Sequence, residues 1–277
     1  MLQLSLPPIG HRALYDECVL QTQRNADRQI LVGLGDRIQA AGAAFTQAVG
    51  DGNLAGMAPI ELNDHEDGLV RNLYDSRLVD KDGCGRWAYD KIRNSARFCP
   101  YCTFGEVYEV DHFLPKSSFR ELNICPTNLV PICHPCNHIK RSELPQQPDA
   151  YFLNPYFDLL PSIRWLFADL SFESGGPVLD FRVELDPALY GNLAGRLSYH
   201  FKALALDRRF RNRAANVLVE IESDLADKFE ELGAVGMREH FQSESDRHFD
   251  RHGNSLEAAA YQATAVNEDF CGGRLKN

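Results

Sequence analysis

Residues 99–141, CPYCTFGEVYEVDHFLPKSSFRELNICPTNLVPICHPCNHIKR, decide the fold of this chain. They contain two CxxC pairs that are separated by thirty residues. Thiolates at this spacing converge on a single tetrahedral ion of the kind that Zn²⁺ prefers. We therefore predict a closed, structural zinc site that contributes folding energy. Its four ligands are Cys99, Cys102, Cys133 and Cys136.

A disulfide framework is the competing explanation of the cysteines. Disulfides persist in secreted proteins, but residues 1–8 are too short for a signal peptide, lack a basic region and end in two prolines. We therefore expect zinc rather than disulfides, and a cytoplasmic location. The remaining cysteines have no motif spacing and are predicted to be buried thiols: Cys18, Cys84, Cys125 and Cys271.

Composition and charge limit the classes of function. With 277 residues, 44% of them hydrophobic and 25% charged, the chain is long enough for one large domain or two small ones. No apolar run approaches the roughly 20 residues of a membrane span, so we expect no membrane association. The net charge of −10 argues against nucleic acid as a partner. The segment 86–141, however, has eight basic and five acidic residues, so this region is positive.

Hydrophobic periodicity predicts an α+β protein that is predominantly helical. Helices are expected over residues 11–49, 64–80 and 86–97, a short strand over 106–111, a hairpin from 165–172 and 178–183, and helices again from 186 onward. We divide the chain into an N-terminal helical region (1–85), a module with the zinc knuckles (86–155) and a mainly helical C-terminal region with the hairpin (156–277).

The chemistry of the module resides between the two knuckles. Asp111 offers a hard oxygen ligand at a predicted strand end, and His112 beside it is a base that titrates near neutral pH. Asn128 lies five residues before the second knuckle, and Asn137 follows its last cysteine, where a helix is expected to begin. On that helix Asn137 shares one face with the next two basic residues, Lys140 and Arg141.

This combination resembles the HNH nuclease family, whose ββα-metal finger has a base histidine at a strand end, a middle asparagine and a metal ligand on the following helix. The resemblance covers roughly residues 95–145 and makes His112, Asn128 and Asn137 the three motif positions. His138 is the rival for the third position, but it lies about 100° further round the helix. We therefore favour Asn137.

The resemblance implies metal-assisted hydrolysis of DNA phosphodiester bonds. Asp111 and Asn137 would hold Mg²⁺ or Mn²⁺, His112 would deprotonate the attacking water, and Asn128 would orient the imidazole or brace its loop. Three basic side chains are expected to contact the nucleic acid: Lys116, Lys140 and Arg141.

Two further interpretations concern partners. The motifs of residues 108–116, 128–133 and 154–158 resemble HNH nuclease subunits of bacterial anti-phage defence systems of the Septu type. This resemblance implies a partner ATPase that controls the nuclease. The alternative is a non-catalytic zinc-ribbon module that binds nucleic acid or serves as a protein adaptor, which agrees with the acidic balance outside residues 86–141.

Overall fold

The computed structural model describes residues 2–274, and it is mostly helical with two small antiparallel sheets. The chain divides into two compact units between Leu159 and Leu160. The α+β, predominantly helical class predicted from the sequence is confirmed. Within the described residues, no helix combines the length and the apolar character that crossing a membrane requires.

The first unit begins with four helices. Their bounds are α1 (His11–Leu20), α2 (Asn25–Gly50), α3 (Asp64–Leu73) and α4 (Arg86–Arg93). Asn63 caps α3 through a capping box with Glu66, which satisfies the free N–H groups at the start of that helix. A π-helical turn, Tyr74–Val79, continues directly from α3. The helices predicted over 11–49 and 64–80 are thus confirmed, with a break between α1 and α2, whereas the helix predicted over 86–97 ends at Arg93.

A strand–strand–helix unit follows these helices. The strands β1 (Glu109–His112) and β2 (Leu129–Ile132) pair antiparallel and are followed at once by α5 (His134–Lys140). The unit packs on the helices, because Val110 and Leu129 belong to the same hydrophobic core as Leu14, Leu34 and Ile92. The helical region therefore fixes the position of β1 and of the residues at its end.

Residues 151–158, which follow α5, also pack on the sheet. The Tyr156 hydroxyl donates to the carbonyl of Leu129 at 2.8 Å. Asn154 and Asp158 hold this segment in a turn, since the Asn154 side chain accepts from the Tyr156 N–H and the Asp158 carboxylate accepts from the Asn154 N–H. The aromatic segment is therefore irregular but buried.

The second unit contains the predicted hairpin, β3 (Leu166–Glu173) and β4 (Gly176–Val183), and then α6 (Pro187–Tyr190), α7 (Asn192–Ala203), α8 (Leu206–His252), α9 (Leu256–Val266) and α10 (Glu268–Cys271). The sequence did not reveal that α8 folds back. Gly233 has φ 61° and ψ −179°, which interrupts the helix. His240 lies 3.1 Å from Asp224, whereas a straight helix would separate them by about 24 Å. The long helix is therefore a helical hairpin.

Candidate metal centre

The two CxxC pairs converge in the first unit. The four cysteine sulfur atoms all lie within 4.8 Å of one another, and all four residues are buried: Cys99, Cys102, Cys133 and Cys136. The Sγ atoms of Cys102 and Cys133 are 3.8 Å apart. A tetrahedral Zn²⁺ with Zn–S bonds of about 2.3 Å places its sulfur ligands about 3.8 Å from one another. The quartet thus has the geometry and chemistry to hold a metal ion such as zinc.

The backbone of the first knuckle explains how this geometry arises. Thr103 adopts a left-handed φ of 70°, and its N–H bonds to the carbonyl of Cys99 at 2.8 Å. The N–H of Gly105 points at the sulfur of Cys102 at 3.4 Å. A Cβ on Gly105 would lie 2.8 Å from the sulfur of Cys133, closer than such atoms approach. Only glycine fits between the two knuckles at this position.

The second knuckle is the start of α5. Cys133 is the residue before the helix, Cys136 lies in its first turn, and the Asn137 N–H bonds to the Cys133 carbonyl at 3.0 Å. The cysteine pair therefore anchors the helix that carries Asn137 and Lys140. Of the other four cysteines, three are buried as expected and Cys84 is half-buried.

Asp111 and His112 end β1 and project to opposite faces of it, because successive side chains alternate along a strand. The carboxylate of Asp111 is 14% exposed and faces Lys140, whose ammonium lies 2.8 Å from Oδ2. Among the described residues this contact is an ion pair but not a hydrogen bond. The charge of the buried Oδ2 is therefore compensated by Lys140, while Oδ2 accepts no hydrogen bond. The same ammonium donates to the carbonyl of His112 at 2.8 Å. Lys140 thus ties α5 to the end of β1.

His112 lies under an aromatic cover. Its side chain is 5% exposed, and the Tyr74 ring meets the imidazole edge-on with centroids 4.5 Å apart. One ring nitrogen, Nε2, lies 2.9 Å from the carbonyl of Asn123. A carbonyl only accepts, so Nε2 carries the proton and Nδ1 keeps its lone pair. Burial lowers the pKa of His112 to about 4, which keeps the ring neutral at physiological pH.

Asn128 is fully buried and braces the loop that follows His112. Its side-chain oxygen accepts from the Leu114 N–H at 2.8 Å, and its NH₂ group donates to the Leu114 carbonyl at 3.1 Å. Its own carbonyl accepts from the N–H of Phe113 at 2.7 Å. Of the two roles considered for Asn128, these contacts correspond to bracing the loop and not to a contact with the imidazole.

The two candidate metal ligands on α5, Asn137 and His138, differ in their exposure to solvent. Asn137 is half-buried and lies three residues before Lys140, the residue that pairs with Asp111. His138 is exposed, and its ring stacks on His134 with centroids 6.4 Å apart. Helical spacing therefore puts Asn137 on the same face of α5 as Lys140, whereas His138 lies on the exposed side.

The three basic residues expected at nucleic acid occupy different environments. Lys116 is exposed and ion-paired with Asp75 at 3.3 Å, and Arg141 is exposed at the end of α5. Lys140, in contrast, is 2% exposed and engaged with Asp111. A buried ion pair replaces the phosphate contact that helical spacing suggested for Lys140.

Sequence reasoning missed two groups of this site. Tyr74 comes from a helical segment 38 residues upstream of His112, and no motif connects the two. The carbonyl of Asn123 is a backbone atom, which has no signature in the sequence. The Asn123 side chain is also buried, and neither of its polar atoms has a partner within the described part of the chain.

Comparison with known proteins gives one distant relative. The chain is 31% identical over 158 residues to Protein ea31 of Escherichia phage lambda. The aligned segment covers 55% of this chain and 53% of that protein. It therefore spans about half the length of the curated relative that it matches. No family model and no solved structure matches the chain.

Proposed function

We propose that this chain is a metal-dependent endonuclease of the HNH type that hydrolyses DNA phosphodiester bonds. One observation carries the proposal: a strand–strand–helix unit has Asp111 and His112 at the end of its first strand, and its helix is anchored there through Lys140. The middle asparagine of the motif, Asn128, braces the loop after His112. Four cysteines suited to structural zinc hold the same helix from its other end.

His112 is the general base in this proposal. The bond from Nε2 to the Asn123 carbonyl fixes the ring, and it leaves Nδ1 as the atom that takes a proton from water. The ring is neutral when it begins this task, because burial lowers its pKa to about 4.

Asp111 and Asn137 are the proposed ligands of Mg²⁺ or Mn²⁺. Their donors are a carboxylate and an amide oxygen, which suit hard divalent cations. The Oδ2 atom of Asp111 is buried and has no hydrogen bond among the described residues, although it lies 2.8 Å from the ammonium of Lys140. When bound, the ion would supply Lewis-acid stabilisation of charge on the phosphate.

A second candidate is the non-catalytic binding module, and the surroundings of His112 favour it. The imidazole is 5% exposed beneath Tyr74, so water reaches it poorly. A base with a pKa of about 4 is also weaker than one tuned near neutral pH. The partner ATPase and the role in anti-phage defence rest on the sequence resemblance alone and belong to the proposal.

The two candidates are separated by a double variant, Asp111→Ala with His112→Ala. The nuclease loses metal-dependent cleavage of plasmid DNA, whereas a binding module retains its affinity for a labelled DNA duplex. Zinc content is measured in parallel to show that the cysteine quartet is intact. Cleavage at the wild-type rate by the double variant would refute the assignment of the active site to Asp111 and His112.

A further inference from the structure

The position of Lys140 calls for an explanation beyond anchoring. It is a charged side chain at 2% exposure, and a buried charge is costly unless it is paired. Its partners are the carboxylate of Asp111 and the carbonyl of His112, both at 2.8 Å. Lys140 therefore contacts the two residues that the proposed function uses as metal ligand and base.

The charges of Lys140 and of the two proposed metal ligands sum to zero. Asp111 is negative, Lys140 neutralises it, and Asn137 is an amide without charge. The neighbouring Glu109 projects to the same face of β1, and its carboxylate lies 3.3 Å from the ring of the exposed His134. Affinity for a hard divalent cation depends on the charge of its ligands, and Mg²⁺ sites often combine one or two carboxylates with substrate phosphates.

We infer that Lys140 is the internal counter-ion of this site: it holds the affinity of the metal-free protein for divalent cations low, so that the cation binds together with the DNA phosphate. This inference rests on the proposed function and adds a regulation to it. The phosphate supplies the negative charge that Lys140 cancels on Asp111. Lys140 is thus a positioning residue, and it touches neither the substrate nor the attacking water.

The test measures Mn²⁺ binding to the zinc-loaded full chain, without DNA, by the loss of the free-ion EPR signal. Lys140→Met tightens Mn²⁺ binding about tenfold or more, because the repulsion of a nearby unit charge is removed. Lys140→Arg keeps the wild-type affinity. The double variant Asp111→Asn with Lys140→Met loses the gain, which assigns it to the Asp111 carboxylate. Unchanged or weaker Mn²⁺ binding by Lys140→Met overturns the inference.

A second measurement does not depend on the folding of Lys140→Met. With His112→Ala, which prevents cleavage, the affinity for a labelled DNA duplex rises about tenfold on addition of Mn²⁺, since the coupling between two ligands is reciprocal. The same change is absent when Asp111→Asn is added. An affinity for the DNA duplex that is the same with and without Mn²⁺ overturns the inference. Failure of the proposed function gives a different result. In that case Lys140→Met still binds Mn²⁺ more tightly, but the wild type does not cleave DNA.

Discussion

The side-chain amide of Asn128 is hydrogen-bonded to both the N–H and the carbonyl of Leu114, at 2.8 and 3.1 Å. Through these two bonds the residue before β2 fixes the loop after β1. The position of His112 therefore depends on an asparagine sixteen residues further along the chain.

We expect Asn128→Ala to lower the free energy of unfolding by about 2 to 4 kcal/mol, because it leaves two buried backbone groups without partners. Asn128→Asp keeps the acceptor and is expected to lose less. The measurement is urea unfolding of the zinc-loaded protein. Asn94 is exposed, so Asn94→Ala is the matched control and should change stability by less than about 0.5 kcal/mol. An Asn128→Ala effect as small as this control would contradict the bracing role.

Removing one zinc ligand should separate structure from chemistry. Cys99→Ser is expected to release the metal and unfold the strand–strand–helix unit, since metal binding and folding are coupled in such sites. His112→Ala should retain the metal, because His112 is no part of the quartet. Zinc content by atomic absorption and far-UV circular dichroism decide the matter. Cys84→Ser, at a half-buried cysteine outside the quartet, serves as the control. Full zinc content in Cys99→Ser would exclude the four-cysteine site.

Two glycines offer a matched pair for the knuckle geometry. Gly105→Ala introduces a Cβ 2.8 Å from the sulfur of Cys133, so we expect faster zinc loss to a chelator and a lower melting temperature. Gly33→Ala, in the middle of α2 with nothing within 4 Å of the new Cβ, should instead stabilise the helix by about 0.5 to 1 kcal/mol. Equal zinc release from the two variants would show that the space at Gly105 is not limiting.

His11 should make stability depend on pH. Burial lowers its pKa to about 4, and neither ring nitrogen has a hydrogen-bond partner among residues 2–274. The ordinary pKa of about 6.5 applies in the unfolded chain, which therefore binds the proton more readily. The resulting loss of stability begins as the pH falls below about 6.5 and is complete near 4.

We expect His11→Phe, which cannot titrate, to lose about 1 to 2 kcal/mol less than the wild type between pH 7 and pH 5. The measurement is the free energy of unfolding of both proteins at the two pH values. Because the zinc thiolates respond to acid equally in both, the difference between the two proteins isolates His11. Parallel losses in wild type and variant would contradict a lowered pKa.

Local patterns predicted those parts of the site that depend on spacing. The CxxC pairs brought four cysteines together, as expected, and periodicity gave the helices of the first unit and the hairpin of the second. These features are set by contacts close in sequence or by one metal-ligand geometry. The nuclease role of Asp111, His112, Asn128 and Asn137 stays a prediction.

Other parts of the structure depend on packing that no local pattern encodes. The spacing of Asn137 and Lys140 defines a common helix face, but it does not say whether that face meets solvent or Asp111. Tyr74 reaches His112 because two elements distant in sequence share one core. The fold-back of α8 at Gly233 was equally hidden, since an isolated glycine is tolerated inside a helix and marks a turn only when a partner face is present.

The most direct test of the central claim is the initial rate of plasmid nicking in Mg²⁺ or Mn²⁺ by three zinc-loaded proteins: wild type, His112→Ala and His138→Ala. A nuclease that uses His112 as its base loses about a hundredfold or more of its rate in His112→Ala, whereas His138→Ala, at an exposed histidine of the same unit, stays near the wild-type rate. Metal-dependent nicking at equal rates by wild type and His112→Ala would contradict the role of His112 as the base and with it the proposed active site.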